Sequence, residues 1–380
     1  MDFWMATPNL SSMLIEDFER QDQVFSQAFS VLEEAIAQQA FPATSVAVTH
    51  QGRLIALRAF GRLTYERDPT SVNPTALFDL ASLTKVVATT LMAMLLYERG
   101  LLDLEAPVVA IVPEFIRDAE QDHRRHDVTL RMLLSHSSGL PAYEKLYLKF
   151  RTRDELLRGA ISMPLAADPA TSAVYSDIGF IILGIALERL ADESLDRFCQ
   201  REIFAPLAMT STTFNPPVEI RAQIPPTAND QTFRKKIIQG EVQDENAFVL
   251  GGVAPQAGLF STAEDLAKFA HAMLNEGRPI FRPETVRLFT RRESAPPATS
   301  RALGWDTPSS PSQSGKYFSP NSFGHLGYTG TSLWIDPTRE LSITLLTNRT
   351  WPDCSNQAIK QVRPKFHDAV VEALESAGSN

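Results

Sequence analysis

The chain has 380 residues, of which 44% are hydrophobic and 21% are charged, a composition typical of a water-soluble globular protein. This length exceeds what a single hydrophobic core usually serves, so we expect two domains. The formal net charge of -9 disfavours nucleic acid or an anionic membrane as a partner.

Targeting signals and cysteines point to the same compartment. The N-terminal residues contain neither the basic segment nor the long apolar segment of a signal peptide, and no apolar run is long enough to cross a bilayer. The two cysteines, Cys199 and Cys354, lie far apart in the sequence, which favours two thiols over a disulfide. We therefore expect a cytoplasmic protein.

The first part of the chain predicts a helix followed by a hairpin. Apolar residues at helical spacing from Ile15 to about Gln39 indicate an amphipathic helix. Residues 44–49 and 54–60 are strand-like, and the glycine-containing segment 50–53 between them is typical of a hairpin turn. A loop is expected over 61–77.

Residues 78–85 end in a Ser-x-x-Lys sequence formed by Ser82 and Lys85. The apolar run that follows, up to Gly100, contains no proline and predicts a buried helix. With Ser82 in the first turn of this helix, Lys85 would share its face and reach its hydroxyl. The unpaired N–H groups of the helix would lie beside the same hydroxyl, and a serine needs such help to act as a nucleophile.

Between residues 101 and 240 the pattern is mostly helical, and strand signals are scarce. The predicted helices cover residues 130–134, 154–161, 178–190 and 195–204. We interpret this block as a helical insertion and place its boundaries at 106–240.

The last third of the chain returns to a mixed pattern. Thr262 is the predicted N-cap of a helix that extends to about Asn275, and residues 357–376 predict a closing helix. Residues 331–335 and 341–347 predict two strands around a turn.

Strands near both ends of the chain most simply share one antiparallel sheet. The predicted fold is therefore α/β (α+β), with residues 1–105 and 241–380 forming a discontinuous sheet domain flanked by the terminal helices. The helical domain over 106–240 would face this sheet, and a cleft between two such domains is where small ligands usually bind.

A second motif, with Tyr175 and Asp177, stands at the start of the predicted helix 178–190. The N–H groups and dipole of that helix would favour a phenolate. A tyrosine that faces Ser82 and Lys85 could take the serine proton and return it. The alternative is a core tyrosine beside an N-cap.

A third motif, residues 323–331, contains His325 and three glycines that lead into a strand. Glycines there allow a ligand to approach the backbone, whose N–H groups can line an oxyanion site. His325 would project into the same cleft. The alternative is a glycine-rich turn with a structural histidine.

Together, the three motifs resemble those of the serine β-lactamase and penicillin-binding-protein superfamily: Ser-x-x-Lys, Tyr-x-Asn and Lys/His/Trp-x-Gly. The resemblance spans about residues 20–375. It is strongest for the branch of class C β-lactamases, D-alanyl-D-alanine carboxypeptidases, D-aminopeptidases and β-lactamase-like carboxylesterases.

The resemblance implies a role for each matching residue. Ser82 would be the acyl-accepting nucleophile, and Lys85 and Tyr175 would form the proton-shuttling pair, either of which could be the base. The backbone N–H groups of Ser82 and Tyr328 would form the oxyanion hole. No cofactor and no metal are implied.

Substrate binding is expected from Asp177, His325 and Gly327, and two of these depart from the family pattern. Asp177 replaces an asparagine, and a carboxylate cannot donate a hydrogen bond to a substrate carbonyl. His325 replaces a lysine, and histidine is mostly neutral at pH 7. Relatives also carry histidines where this chain has Gln243 and Gln256, whose roles are left open.

These departures fit esters or D-amino-acid peptides better than β-lactams. We expect a carboxylesterase for short-chain esters, because no export signal directs the chain towards peptidoglycan. The alternatives are a D-alanyl-D-alanine carboxypeptidase or D-aminopeptidase with weak β-lactamase activity, and an acyltransferase. The intact Ser82, Lys85 and Tyr175 disfavour a non-enzymatic binding protein. The expected partner is a small ester or D-amino-acid peptide, and the expected state is a monomer or a homo-oligomer.

Other candidate sites are less well supported. The chain has no Gly-x-Ser-x-Gly sequence, which disfavours an α/β-hydrolase fold. His123 and His126 lack carboxylates at metal-binding spacing and are predicted to lie in a solvated loop. His136 is predicted to be structural.

Overall fold

The computed structural model of the chain describes residues 14–66, 70–117 and 122–378, so part of the loop predicted over 61–77 lies outside the described residues. The strands within these ranges are β1 Ile15–Glu16, β2 Ala43–His50, β3 Arg53–Gly61, β4 Phe78–Asp79, β5 Thr213–Phe214, β6 Ala228–Asp230, β7 Lys236–Ile238, β8 Leu259–Ser261, β9 Phe323–Leu326, β10 Ser332–Asp336 and β11 Leu341–Thr347.

The α-helices are distributed over the whole described chain. They are α1 Gln21–Val24, α2 Ser26–Ala37, α3 Thr90–Glu98, α4 Glu114–Arg117, α5 Leu130–Leu134, α6 Leu146–Lys149, α7 Arg153–Ile161, α8 Asp177–Ala191, α9 Leu195–Cys199, α10 Glu245–Val249, α11 Ala263–Leu274, α12 Pro283–Thr290 and α13 Ile359–Gly378.

The main sheet joins strands from both ends of the chain, as the sequence predicts. Its order is β1-β3-β2-β11-β10-β9, and every pair is antiparallel except β1 with β3. β2 and β11 pair along their full length, from Leu341 opposite His50 to Thr347 opposite Thr44. The predicted α/β fold with one shared antiparallel sheet is therefore confirmed.

Helices cover both faces of this sheet. On one face α2 and α13 pack together over apolar side chains of β2 and β11, such as Val46 and Ile343. On the other face α11 packs against the same two strands. Beyond it lies the larger core, in which α3 and α8 are apolar nearly all round and buried.

One prediction of local structure is wrong and another is incomplete. Ile15 and Glu16 are not helical, because the N–H of Ile15 donates to the carbonyl of Gly52 and the segment extends the sheet edge. The block predicted as mostly helical also contains β5, β6 and β7. These strands are two or three residues long, too short for an alternating pattern to reveal them.

The larger core draws side chains from both predicted domains, for example Leu91 of α3, Phe180 of α8 and Leu346 of β11. The division at residues 106 and 240 stays a prediction.

Cys199 and Cys354 are both free thiols, the first buried and the second exposed. In the described ranges no helix combines the length and the hydropathy needed to span a membrane.

Candidate active site

Ser82 lies in a tight turn between β4 and a widened helical segment. It belongs to a 3₁₀ turn, Ala81–Leu83, which is followed by a π-helical turn, Lys85–Thr89, before α3 begins. The expected first turn of a regular α-helix is therefore wrong in detail. π-helical turns inside helices are frequent at functional sites.

Asp79 holds this turn in an unfavourable backbone conformation. Ala81 has φ of 47°, in the left-handed region that alanine seldom adopts. One carboxylate oxygen of Asp79 accepts a hydrogen bond from the N–H of Ala81 at 2.8 Å, and the other accepts from the N–H of Gln243 at 2.6 Å. Burial raises the pKa of Asp79 to about 6. The carboxylate thus ties the serine turn to the segment before α10.

Lys85 is fully buried and directs all its hydrogen bonds into the site. Its Nζ donates to Ser82 Oγ at 3.1 Å, to Asp177 Oδ1 at 2.6 Å and to the carbonyl of Gln256 at 3.0 Å. These contacts use the three donors of an ammonium group. Burial opposes the charge, but Asp177 and Tyr175 together outweigh it, so the pKa of Lys85 is raised above its ordinary value. In this arrangement Lys85 is a cation and a donor.

Tyr175 lies among charged and aromatic groups. Lys85 Nζ is 4.8 Å from the centre of its ring and the guanidinium carbon of Arg301 is 5.4 Å from it. Burial raises the pKa of Tyr175, although Lys85 opposes this effect, so the phenol is neutral and the expected phenolate is wrong. Its hydroxyl is close enough to Lys85 and Ser82 for both to act on its pKa, yet it completes no well-aligned hydrogen bond among the described residues.

The start of α8 positions Tyr175 and Asp177 on either side of the N-cap, Ser176. Ser176 Oγ accepts from the N–H of Gly179 at 2.9 Å and donates to the carbonyl of Pro141 at 2.6 Å. The N–H of Ser176 donates to His136 Nδ1 at 3.0 Å. His136 is therefore part of the support for this turn, as predicted.

His325 lies on β9 with its ring centre 5.8 Å from that of Tyr175. Its side chain is buried, and its Nδ1 lies 2.8 Å from the carbonyl of Leu326. Burial, Lys85 and Arg301 together hold the pKa of His325 well below its ordinary value. The imidazole is therefore neutral. Its role in substrate binding, like those of Asp177 and Gly327, stays a prediction.

The turn after β9 meets the serine turn through hydrogen bonds. Thr329 Oγ1 donates to the carbonyl of Asp79 at 2.8 Å, and Thr331 Oγ1 donates to that of Leu80 at 3.0 Å. A Cβ at Gly327 would lie 1.9 Å from Thr331 Oγ1, so the close approach requires glycine. The N–H of Tyr328 has no acceptor among the described residues, as an oxyanion donor requires.

Sequence reasoning missed four contributors to this site. The carbonyl of Gln256 and the N–H of Gln243 act through the backbone, which no residue type reveals. Arg301 lies on a loop with no motif, and only the folded chain places it over Tyr175. Asp79, three residues before the serine, was the one visible in the sequence as a polar group in an apolar segment.

Comparisons with known proteins relate the chain to a family and a fold. The sequence profile described as Beta-lactamase matches residues 28–363. The chain is similar to N-acetylmuramyl-L-alanine amidase of Bacillus subtilis (strain 168), with 34% identity over 81% of this chain and 77% of that protein. It is also similar to a putative D-alanyl-D-alanine carboxypeptidase of Escherichia coli (strain K12), with 29% identity over 90% of this chain and 85% of that protein.

Among solved structures, the fold is similar to that of EstCE1, a hydrolase with promiscuous acyltransferase activity. The TM-score is 0.75 at 22% identity, and the match covers 92% of this chain and 99% of that one. At this identity the likeness concerns the fold. The profile match extends over most of the chain and includes all three motifs, so the chain belongs to the Beta-lactamase family of serine hydrolases.

Proposed function

We propose that the protein forms an acyl-enzyme on Ser82 and hydrolyses it. The observation that carries this proposal is the 3.1 Å contact between Ser82 Oγ and the Nζ of Lys85, in a turn whose geometry Asp79 maintains. Ser82 attacks a carbonyl carbon, the leaving group departs, and water then releases the acyl group. The N–H of Tyr328, which lacks an acceptor in the described chain, would stabilise the oxyanion together with that of Ser82.

We propose amide bonds of short D-alanyl peptides as the first substrate class. The relative that supports it is named a putative D-alanyl-D-alanine carboxypeptidase and matches at 29% identity over 90% of the chain. The relative at 34% identity, named N-acetylmuramyl-L-alanine amidase, supports amide hydrolysis more generally. Arg301 adds a cation beside Tyr175, which suits a substrate with a carboxylate near the scissile bond.

Hydrolysis of short-chain esters is the second candidate. It is favoured by the neutral, buried His325, which leaves the third motif without a fixed positive charge. The exposed side chains of Tyr143, Val174 and Tyr328 add apolar surface on segments that flank the site, which an uncharged acyl group would contact.

One set of assays separates these activities. The protein and its Ser82→Ala variant are incubated with a D-alanyl-D-alanine peptide, p-nitrophenyl butyrate and nitrocefin. Peptide turnover that disappears in the variant supports the first candidate, and ester turnover without peptide turnover supports the second. Turnover that persists in Ser82→Ala, or no turnover of any substrate by the unmodified protein, would contradict the proposal.

A further inference from the structure

Three carboxylates lie along one edge of the active site, and only one of them has a partner cation within the described chain. Asp177 pairs with Lys85, whose Nζ lies 2.6 Å from Asp177 Oδ1. Asp244 forms no ion pair with a described residue and accepts hydrogen bonds only from uncharged groups. Glu245, which is half-buried, forms neither an ion pair nor a side-chain hydrogen bond with a described residue. Carboxylates in such surroundings are normally paired, so this edge favours a further positive charge.

A hydrogen-bonded segment brings the start of α8 and the start of α10 to this edge. The N–H of Asp177 donates to the carbonyl of Ala142 at 2.8 Å. Further along the same segment, the N–H of Tyr147 donates to Asn246 Oδ1 at 3.0 Å. Residues 142–147 therefore join the two helix starts that carry the three carboxylates.

Gln256 is an independent sign that a hydrogen-bond donor is missing at this edge. Its backbone carbonyl accepts from Lys85 Nζ at 3.0 Å, and its Nε2 donates to Asp244 Oδ1 at 3.4 Å, so its side-chain amide lies against the carboxylates. The residue is 1% exposed, and its Oε1 has no hydrogen-bond partner in the described chain. A buried acceptor without a donor costs free energy, which a ligand that donates to Oε1 would recover.

Two tyrosines add aromatic rings on the open side of the same edge. Tyr143 is 38% exposed and Tyr328 is 48% exposed. Burial raises the pKa of both phenols, and Glu245 adds to the rise in each, so its carboxylate lies near both side chains. The face of an aromatic ring attracts cations, as a carboxylate does. A carboxylate beside two tyrosines therefore suits an ammonium group.

The cations on the neighbouring segments are already bound to other groups. Lys149 pairs with Glu144 at 2.8 Å. Arg151, Arg234 and Arg349 direct guanidinium N–H groups to backbone carbonyls. The additional positive charge is therefore expected from a ligand rather than from these side chains.

We propose that Asp244, Glu245 and Gln256 bind a protonated amino group of the substrate. The ammonium donates to the two carboxylates and to Gln256 Oε1, and the tyrosine rings cover its open side. Because Gln256 also contacts Lys85, this amino group lies near the carbonyl carbon that Ser82 attacks. The substrates are then D-alanyl peptides, amides or esters with an unblocked amino end. The inference rests on the proposed role of Ser82.

The test compares D-alanine p-nitroanilide with its N-acetyl form, which has the same leaving group but no positive charge. Values of kcat/KM are measured at pH 7, where an α-amino group is mostly protonated. We expect the unmodified protein to prefer the free amine by about 10–100-fold, the usual effect of hydrogen bonds to a charged group. An N-acetyl substrate that is hydrolysed equally well or better would overturn the subsite.

Glu245→Gln removes one carboxylate and keeps the shape of the side chain. We expect it to reduce the preference for the free amine by about tenfold, because one charge-assisted hydrogen bond is lost. Glu144→Gln is the matched control, because Glu144 lies close by in the sequence of the joining segment but binds Lys149. It should keep the full preference. Equal preferences in the two variants would show that Glu245 does not bind the amine.

A second measurement requires no turnover and decides the question if neither p-nitroanilide is hydrolysed. D-Alaninamide and N-acetyl-D-alaninamide are compared for their ability to slow the labelling of Ser82 by a fluorophosphonate. The free amine should protect Ser82 at a concentration about tenfold lower or less. Equal protection, or no protection by either compound, would contradict the subsite. If Ser82 is not labelled at all, the proposed function itself fails, which is a distinct result.

Discussion

Single residues of the active site owe their charge state to their surroundings. Asp177 and Tyr175 raise the pKa of Lys85 despite its burial, whereas burial and two cations hold the pKa of His325 well below its ordinary value. The two side chains belong to the same site, yet their environments push their pKa values in opposite directions. Differences of this kind assign donors and acceptors in catalytic sites.

A lysine in place of His325 should be tolerated poorly. His325→Lys would place a third cation in a buried position that already faces Lys85 and Arg301. We expect a loss of about 1–3 kcal/mol in the free energy of unfolding, measured by urea denaturation at pH 7. His325→Gln, which stays neutral, is the control and should lose less. Equal stability of the two variants would show that charge is not what this position excludes.

The candidate catalytic residues are the part of the site that the sequence predicts best. Ser82, Lys85 and Tyr175 stand in recognisable motifs, and the folded chain brings them together. The protonation states were not predictable, because they depend on burial and on Asp177, Arg301 and the carbonyl of Gln256. None of these contacts is encoded in a local pattern.

At the scale of elements, the start of α8 is the support on which the second motif depends. Its N-cap, Ser176, separates Tyr175 from Asp177 and ties both to the loop that ends at Pro141. A small movement of this turn would displace the phenol and the carboxylate together. Catalytic groups must be held to within a fraction of an ångström to remain effective.

Ser176→Ala should therefore affect both stability and turnover. Loss of the cap is expected to lower the free energy of unfolding by about 1–2 kcal/mol. We also expect kcat to fall more than KM rises, because the reacting groups are displaced while the cleft remains. Thr152→Ala removes the capping box of α7 and is the matched control. We expect it to lose a similar amount of stability and to keep its kcat unchanged.

If both capping variants reduce kcat equally, the start of α8 has no special role in positioning the site.

The elements themselves were predicted unevenly. Long apolar or alternating segments such as α8, β2 and β11 were found near their true bounds. The turn at Ser82 was not predicted. Its left-handed residue, Ala81, is held by a hydrogen bond from its N–H to the side chain of Asp79.

The whole molecule connects the active site to the C-terminal helix. Arg363 of α13 is buried, and its guanidinium donates to the carbonyls of Gly327, Gly330 and Thr331 in the turn after β9. Burial and the nearby Arg349 lower its pKa to about 9. The turn that carries the expected oxyanion donor is thus held by the last helix of the chain. Such long-range contacts could not be read from the sequence.

The stability of the whole fold should depend on pH through His367, also on α13. Burial lowers its pKa to about 3, whereas the unfolded chain takes up this proton near pH 6.5. Between these values the unfolded state binds one proton more than the folded state. The contribution of His367 is therefore complete above pH 6.5 and is lost on acidification, at about 1.4 kcal/mol per pH unit.

Urea denaturation between pH 7 and 4 measures this dependence. On acidification, the free energy of unfolding of His367→Gln should fall less steeply than that of the unmodified protein. The two slopes should differ by about 1.4 kcal/mol per pH unit, which corresponds to one proton. His126→Gln, at an exposed position, should leave the slope unchanged. If His367→Gln keeps the full slope, His367 does not contribute to the acid sensitivity of the fold.

The identity of the nucleophile is tested most directly by trapping the acyl-enzyme. The protein is mixed with p-nitrophenyl butyrate, quenched in acid and analysed by intact mass spectrometry, followed by peptide mapping. We predict one added butyryl group on the peptide that contains Ser82, and no adduct in a folded Ser82→Ala variant. A butyryl group on another residue, or an adduct that persists in Ser82→Ala, would contradict the assignment of Ser82.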